Sequence, residues 1–130
     1  MSQSESISAI LAHHHQRCDD HLLAAEEHAE AHRVEACRAA FAVFLEELER
    51  HFTAEEAVLF PAFEQATGMT EGPTRVMRLE HAQMREILDE LDHSLQRGDV
   101  GEWLDGLQAL NILMQQHNLK EENILYPMCE

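Results

Sequence analysis

His51-Phe52-Thr53-Ala54-Glu55-Glu56-Ala57-Val58-Leu59-Phe60-Pro61 returns 66 residues later (51 to 117) as His117-Asn118-Leu119-Lys120-Glu121-Glu122-Asn123-Ile124-Leu125-Tyr126-Pro127. Moving 36 residues upstream of each copy (51 to 15, 117 to 81) reaches another histidine, His15 and His81. Aligning 8–64 with 74–130 also pairs Leu22 with Leu88, Val34 with Val100, Pro61 with Pro127 and Glu64 with Glu130. Identity is otherwise low. It gathers at polar groups able to bind something and at apolar positions able to form a core, as two halves sharing one site require.

Each half reads as a helical hairpin. The chain is rich in Ala, Leu, Glu, Gln and Met and poor in breakers, with 5 Gly and 3 Pro in 130 residues, which favours helix. The breakers that exist mark turns. Gly68 and Thr70-Glu71-Gly72-Pro73 form the central loop, with Pro73 suited to a first helical turn. Arg97-Gly98-Asp99 forms another, where Asp99 and Glu102 have capping-box spacing. Repeat symmetry demands a turn near 30–33, though no Gly or Pro marks it. Ser2 with Glu5 has the spacing of a first N-cap. The expected helices are about 4–30, 33–60, 73–97 and 100–126, with Pro61 and Pro127 ending the second and fourth. Two hairpins give an all-α, up-down-up-down antiparallel four-helix bundle, one domain over 1–130.

Apolar residues at steps of three and four define one buried stripe per helix. The stripes are Leu11, His15, Cys18, Leu22, Ala25; Phe41, Phe44, Leu48, His51, Glu55, Val58; Met77, His81, Met84, Leu88, Leu91, Leu95; and Leu107, Leu110, Met114, His117, Glu121, Ile124. His15 and His51 are centred on the first turn, His81 and His117 on the second. Both pairs therefore stand at one height, ~27 Å from their turns at ~1.5 Å per residue. Glu55 and Glu121 lie one turn beyond their histidines on the same face. One inward histidine is usually a satisfied core residue. Four histidines and two carboxylates in one layer are costly to bury without a cation or a dense hydrogen-bond network. Nitrogen and carboxylate donors without thiolate suit iron, manganese or zinc. Two carboxylates that can bridge point to two ions with coordination positions left over, a site that redox iron exploits best.

Composition narrows the partners. Twenty-five acidic residues against 9 Lys plus Arg give a formal charge of −16, which repels nucleic-acid backbones and anionic lipid. No apolar run approaches the ~18 residues of a spanning helix. The N-terminus lacks the basic start and apolar core of a signal peptide. Three cysteines without a Cys-two-residues-Cys unit suggest a reducing cytoplasm. Among the remaining groups, His14 neighbours His15 but points about 100° away. His13, His21, His28, His32 and His93 are expected on solvated faces. Cys18, Trp103 and the methionines read as core, and Glu46, Glu47 and Glu49 as a solvated face.

Over nearly the whole chain these residues resemble the hemerythrin family, the HHE cation-binding domain. The most specific feature is the paired His-three residues-Glu-Glu-two residues-Leu-aromatic-Pro motif. The resemblance implies a non-haem di-iron centre with His15 and His51 on one iron, His81 and His117 on the other, and Glu55 and Glu121 bridging. In family members the last carboxylate falls four or five residues after its histidine, so Glu122 rivals Glu121; symmetry with Glu55 favours Glu121. The departure is Arg85. Dioxygen carriers have a histidine four residues after the one matched by His81. Arg85 either runs outward and pairs with Glu, or borders the open site and steadies an anionic ligand. Three functions follow: binding or sensing dioxygen, nitric oxide or a related ligand; redox catalysis on peroxide, dioxygen or nitric oxide; and an iron-holding or zinc-bound structural bundle.

Overall fold

The computed structural model describes residues 7–129, and the expected Ser2/Glu5 cap lies outside them. Four long helices form. Helix α1 is Ile7–Glu30. Helix α2 covers 34–67 in three stretches: Val34–Ala54, a π turn Glu55–Leu59, and Phe60–Thr67. Helix α3 is Pro73–Gln96. Helix α4 covers 100–128: Val100–Lys120, a π turn Glu121–Leu125, and Tyr126–Met128. Helix α1 packs along α2 and α3 along α4; α1 also meets α4, and α2 meets α3, which closes the four-helix bundle. Among the described residues no helix is long and apolar enough to cross a membrane.

The unmarked first turn uses a residue that pattern reading passes over. His32 takes φ 59, the left-handed conformation usually left to glycine. Arg33 N–H donates to the His28 carbonyl at 2.9 Å and His32 N–H to the Ala29 carbonyl at 3.0 Å, a Schellman closure. Gly98, φ 73, closes the second hairpin with the same pair of bonds, Asp99 to Ser94 and Gly98 to Leu95. Asp99 caps α4 by accepting from Glu102 N–H.

Pro61 and Pro127 do not end their helices as the sequence suggested. Each follows a π turn, in which Phe60 N–H donates to the Glu55 carbonyl and Tyr126 N–H to the Glu121 carbonyl. These i→i−5 bonds shift the ladder by one residue. The proline ring then meets a widened turn instead of a carbonyl four residues back. The same shift corrects the inner stripes at their ends. Val58 is 69% exposed and Ile124 53%, while Leu59 and Leu125 turn inward. Every other residue of the four expected stripes is buried.

Two apolar clusters result. The larger lies toward the hairpin turns and includes Phe41, Phe44, Leu48, Phe52, Met84, Trp103 and Met114. The smaller comprises Leu11, Leu59, Phe60, Phe63, Met77, Leu125 and Tyr126. Along each helix, the inward histidines and carboxylates fall between residues of the first cluster and residues of the second.

Candidate metal centre

Each helix delivers one histidine to the layer: His15 from α1, His51 from α2, His81 from α3 and His117 from α4. All four are at most 5% exposed. Glu55 and Glu121 open the two π turns and are fully buried. A regular four-residue step brings each carboxylate to the face of its histidine; the π turn that begins there is why Val58 and Ile124 do not follow.

The carboxylates stand between the histidine pairs. Glu55 Oε2 is 3.3 Å from His51 Nε2, and its Oε1 is 3.1 Å from His81 Nε2. Glu121 Oε1 is 3.0 Å from His15 Nε2, and its Oε2 is 3.1 Å from His117 Nε2. Donor atoms of His15, His51, Glu55 and Glu121 lie within 4.8 Å of one another, as do those of Glu55, His81, His117 and Glu121. The two groups share both carboxylates. Several of these atoms are close without being aligned for hydrogen bonding: Glu55 Oε1, Glu121 Oε2, His81 Nε2 and His117 Nε2 are buried with no hydrogen-bond partner. Such atoms are costly unless something satisfies them. A cation between them does so, and the nitrogen–carboxylate set suits it.

Burial alone would raise Glu55, but the imidazoles of His51 and His81 beside its two oxygens outweigh it and hold its carboxyl far below the usual range. Burial would lower His15 and His117, yet Glu121 and Glu122 raise the first, and Glu121 and Glu80 the second. Without a cation these charges draw the layer together, yet the four atoms named above stay without a hydrogen-bond partner.

Outer carboxylates fix three of the four rings. Glu122 holds His15 Nδ1 at 2.7 Å, Glu56 holds His81 Nδ1 at 2.6 Å, and Glu80 holds His117 Nδ1 at 2.9 Å. Such bonds keep the proton on Nδ1, leaving Nε2 inward with its lone pair. Glu80 is itself held by Lys120.

A family model, the hemerythrin HHE cation-binding domain, matches residues 6–129. The chain belongs to this family. It is also similar to the iron-sulfur cluster repair protein YtfE of Salmonella schwarzengrund and of Salmonella paratyphi B, 31% identical over 91 residues in each case. That match covers 63% of this chain and 41% of each relative, so the chain spans less than half their length. No solved structure gives a significant match.

Within this hemerythrin-like bundle, the structure separates the two readings of Arg85. Its guanidinium donates to Glu49 and Glu56, each at 2.8 Å, and lies over the Phe52 ring at 5.2 Å. Arg85 thus runs outward and pairs with Glu, and its pairing helps hold the carboxylate that orients His81. Glu122 occupies an outer place against His15 rather than the shared inner place of Glu121. His13, His32 and His93 are exposed and His21 and His28 half-buried; none enters the layer. Cys18 is buried, and burial pushes its thiol up to about 12, in keeping with packing.

Sequence reading passed over Tyr126, although its repeat partner Phe60 flags the difference. Its hydroxyl lies 2.6 Å from Glu55 Oε2 and 2.8 Å from Glu121 Oε1, which share its single proton, and sits 3.1 Å and 3.3 Å from Nε2 of His15 and His51. Only the half built on His15 and His51 therefore contains a phenol; the His81 half has Phe52 stacked at 3.9 Å and Phe60 at 5.6 Å between ring centroids. Burial and the two carboxylates push the Tyr126 hydroxyl far up, so it stays protonated. Tyr126→Phe should destabilise the metal-free chain by about 1–3 kcal/mol, because two buried carboxylate oxygens lose a donor. Urea unfolding measures this; an unchanged midpoint and slope would place the hydroxyl outside the network.

Proposed function

We propose that this chain holds two iron ions, with His15 and His51 on one, His81 and His117 on the other, and Glu55 and Glu121 bridging. We further propose that the centre binds or senses dioxygen, nitric oxide or a related small ligand. The observation that carries this reading is that each buried carboxylate directs one oxygen to each histidine pair. Iron bound there supplies a redox-active centre with coordination positions left for a small ligand. The chain's own part is to hold neutral imidazoles in one tautomer, through Glu122, Glu56 and Glu80, and to keep the layer dry between two apolar clusters. Tyr126 places a protonated hydroxyl, the one hydroxyl donor to the two carboxylates among the described residues, on the His15 side. A reducing cytoplasm, with neither nucleic acid nor membrane as partner, belongs to the same proposal.

Redox turnover at the same centre, including a part in iron–sulfur cluster repair, is the second reading. The similarity to the repair proteins favours it, as does Arg85 standing where the carriers have a further histidine. A closed structural zinc site fits less well, because the six inward residues include no thiolate and leave positions open.

Iron reconstitution followed by elemental analysis should approach about two irons per chain, as di-metal bundles of this design hold. His51→Ala and His117→Ala should each lose metal, while His28→Ala should not. Saturation at one iron, or equal metal content in all three variants, would sink the bridged assignment. Exposing reduced, loaded protein to dioxygen and to nitric oxide then separates the readings. A reversible spectral change supports binding or sensing, and continuous consumption of ligand with a reductant supports catalysis.

A further inference from the structure

Three of the four inward histidines rest Nδ1 on a carboxylate; His51 does not. Its Nε2 faces Glu55 and Tyr126 inside the layer, while its Nδ1 is buried and has no hydrogen-bond partner. The sequence explains the gap. Glu80 and Lys120 serve His117, and the residues 66 positions before them (80 to 14, 120 to 54) are His14 and Ala54. The first hairpin has thus exchanged a carboxylate for an imidazole and a lysine for a methyl group. Space opens there: a cleft of about 340 Å³ is lined by His14, Arg17, Glu47, Arg50, His51 and Ala54. The His14 ring stands edge-on to His51, 5.8 Å between centroids.

The cleft's charge is unlike that of the rest of the molecule. In a chain of net charge −16, its lining carries two guanidinium groups against one carboxylate. Arg17 pairs with Glu47 at 2.9 Å and Arg50 with Glu46 at 2.7 Å. Both arginines are more than half exposed, so either can turn from its solvated pair toward an anion at small cost.

We propose that this cleft is a binding subsite for a small carboxylate anion, which takes the place against His51 that Glu80 takes against His117. One oxygen accepts the Nδ1–H of His51 after a rotamer change of His14, and Arg17 and Arg50 meet the other. Planar, two-oxygen geometry matches a guanidinium fork. The anion would complete the fourth outer contact and so tighten the His15/His51 half of the centre. The inference rests on the reading of His51 as a ligand through Nε2, which puts its proton on Nδ1.

The test uses full-length, iron-loaded protein titrated with acetate by calorimetry, at ionic strength held constant with chloride. Iron content is measured in each sample, so failure to load metal counts against the metal assignment and not against the subsite. Wild-type protein should show one saturable acetate site. Arg50→Ala should weaken it about tenfold, the loss expected for one charge-assisted hydrogen bond. His14→Glu supplies a carboxylate from the chain itself and should abolish acetate binding while keeping iron. Absence of saturable binding in the loaded wild type would overturn the proposal. So would acetate binding that survives unchanged in His14→Glu, since that acetate would be sitting on the metals rather than in the cleft.

Discussion

Stripping the metal from the loaded chain should lower its melting temperature by about 10–20 °C. A ligand present at a thousand times its dissociation constant adds about 4 kcal/mol to the folded state, and in a chain of this size each kcal/mol moves the midpoint by about 3–5 °C. The structural ground is the set of buried oxygens and nitrogens that lack a partner in the layer, Glu55 Oε1, Glu121 Oε2, His81 Nε2 and His117 Nε2. The gap should widen from pH 6 to pH 8. His15 and His117 are raised above their ordinary value. Their contribution to the metal-free fold is complete below about 6.5 and fades as pH climbs through the raised values. Glu55 is depressed, so its contribution holds above about 4.5 and is lost on acidification well below that. These three groups together favour the metal-free fold most between about pH 4.5 and 6.5. Metal needs neutral imidazoles, so its own contribution grows with pH. Differential scanning calorimetry at the two pH values checks both parts, and superimposable melts with and without iron would refute the first.

How far the sequence carried this picture differs from residue to residue. His15, His51, Glu55, His81, His117 and Glu121 were legible because helical periodicity fixes which residues share a face, and equal spacing from two turns fixes their height. That arithmetic needs only a regular helix. It failed at Val58 and Ile124, where the helix is not regular: a π turn adds a residue and carries the inner face to Leu59 and Leu125. The proline after Phe60 and the one after Tyr126 have the pattern of a stop, although each marks the widened turn. His32 was invisible as a turn former because left-handed backbone is ordinarily glycine's, and the Schellman bonds there come from the backbone itself. Glu56, Glu80 and Tyr126 escaped for another reason. Their roles depend on contacts across helices, 25, 37 and 71 residues apart in sequence for His81, His117 and Glu55, and no periodicity encodes those.

The rivalry between Glu121 and Glu122 is decided by what each carboxylate touches, and it yields the sharpest expected contrast. Glu121 is fully buried and gives one oxygen to the His15 side and the other to His117. Glu122 is about one-third exposed at its side chain and reaches only Nδ1 of His15. Glu121→Ala removes an oxygen from both halves at once and leaves Glu55 as the sole shared carboxylate. Iron content should then fall below one per chain even at saturating iron. Glu122→Ala leaves all six inward groups in place and loosens only the orientation of His15. It should still take up both irons, with affinity at one of the two sites reduced about 10–100-fold, the usual cost of losing such an outer partner. Competition with a chelator of known affinity resolves the two sites. If Glu122→Ala empties the centre while Glu121→Ala still fills it, the bridge belongs to Glu122, and the inward pose of Glu121 is that of a metal-free layer closing on its own ion pairs.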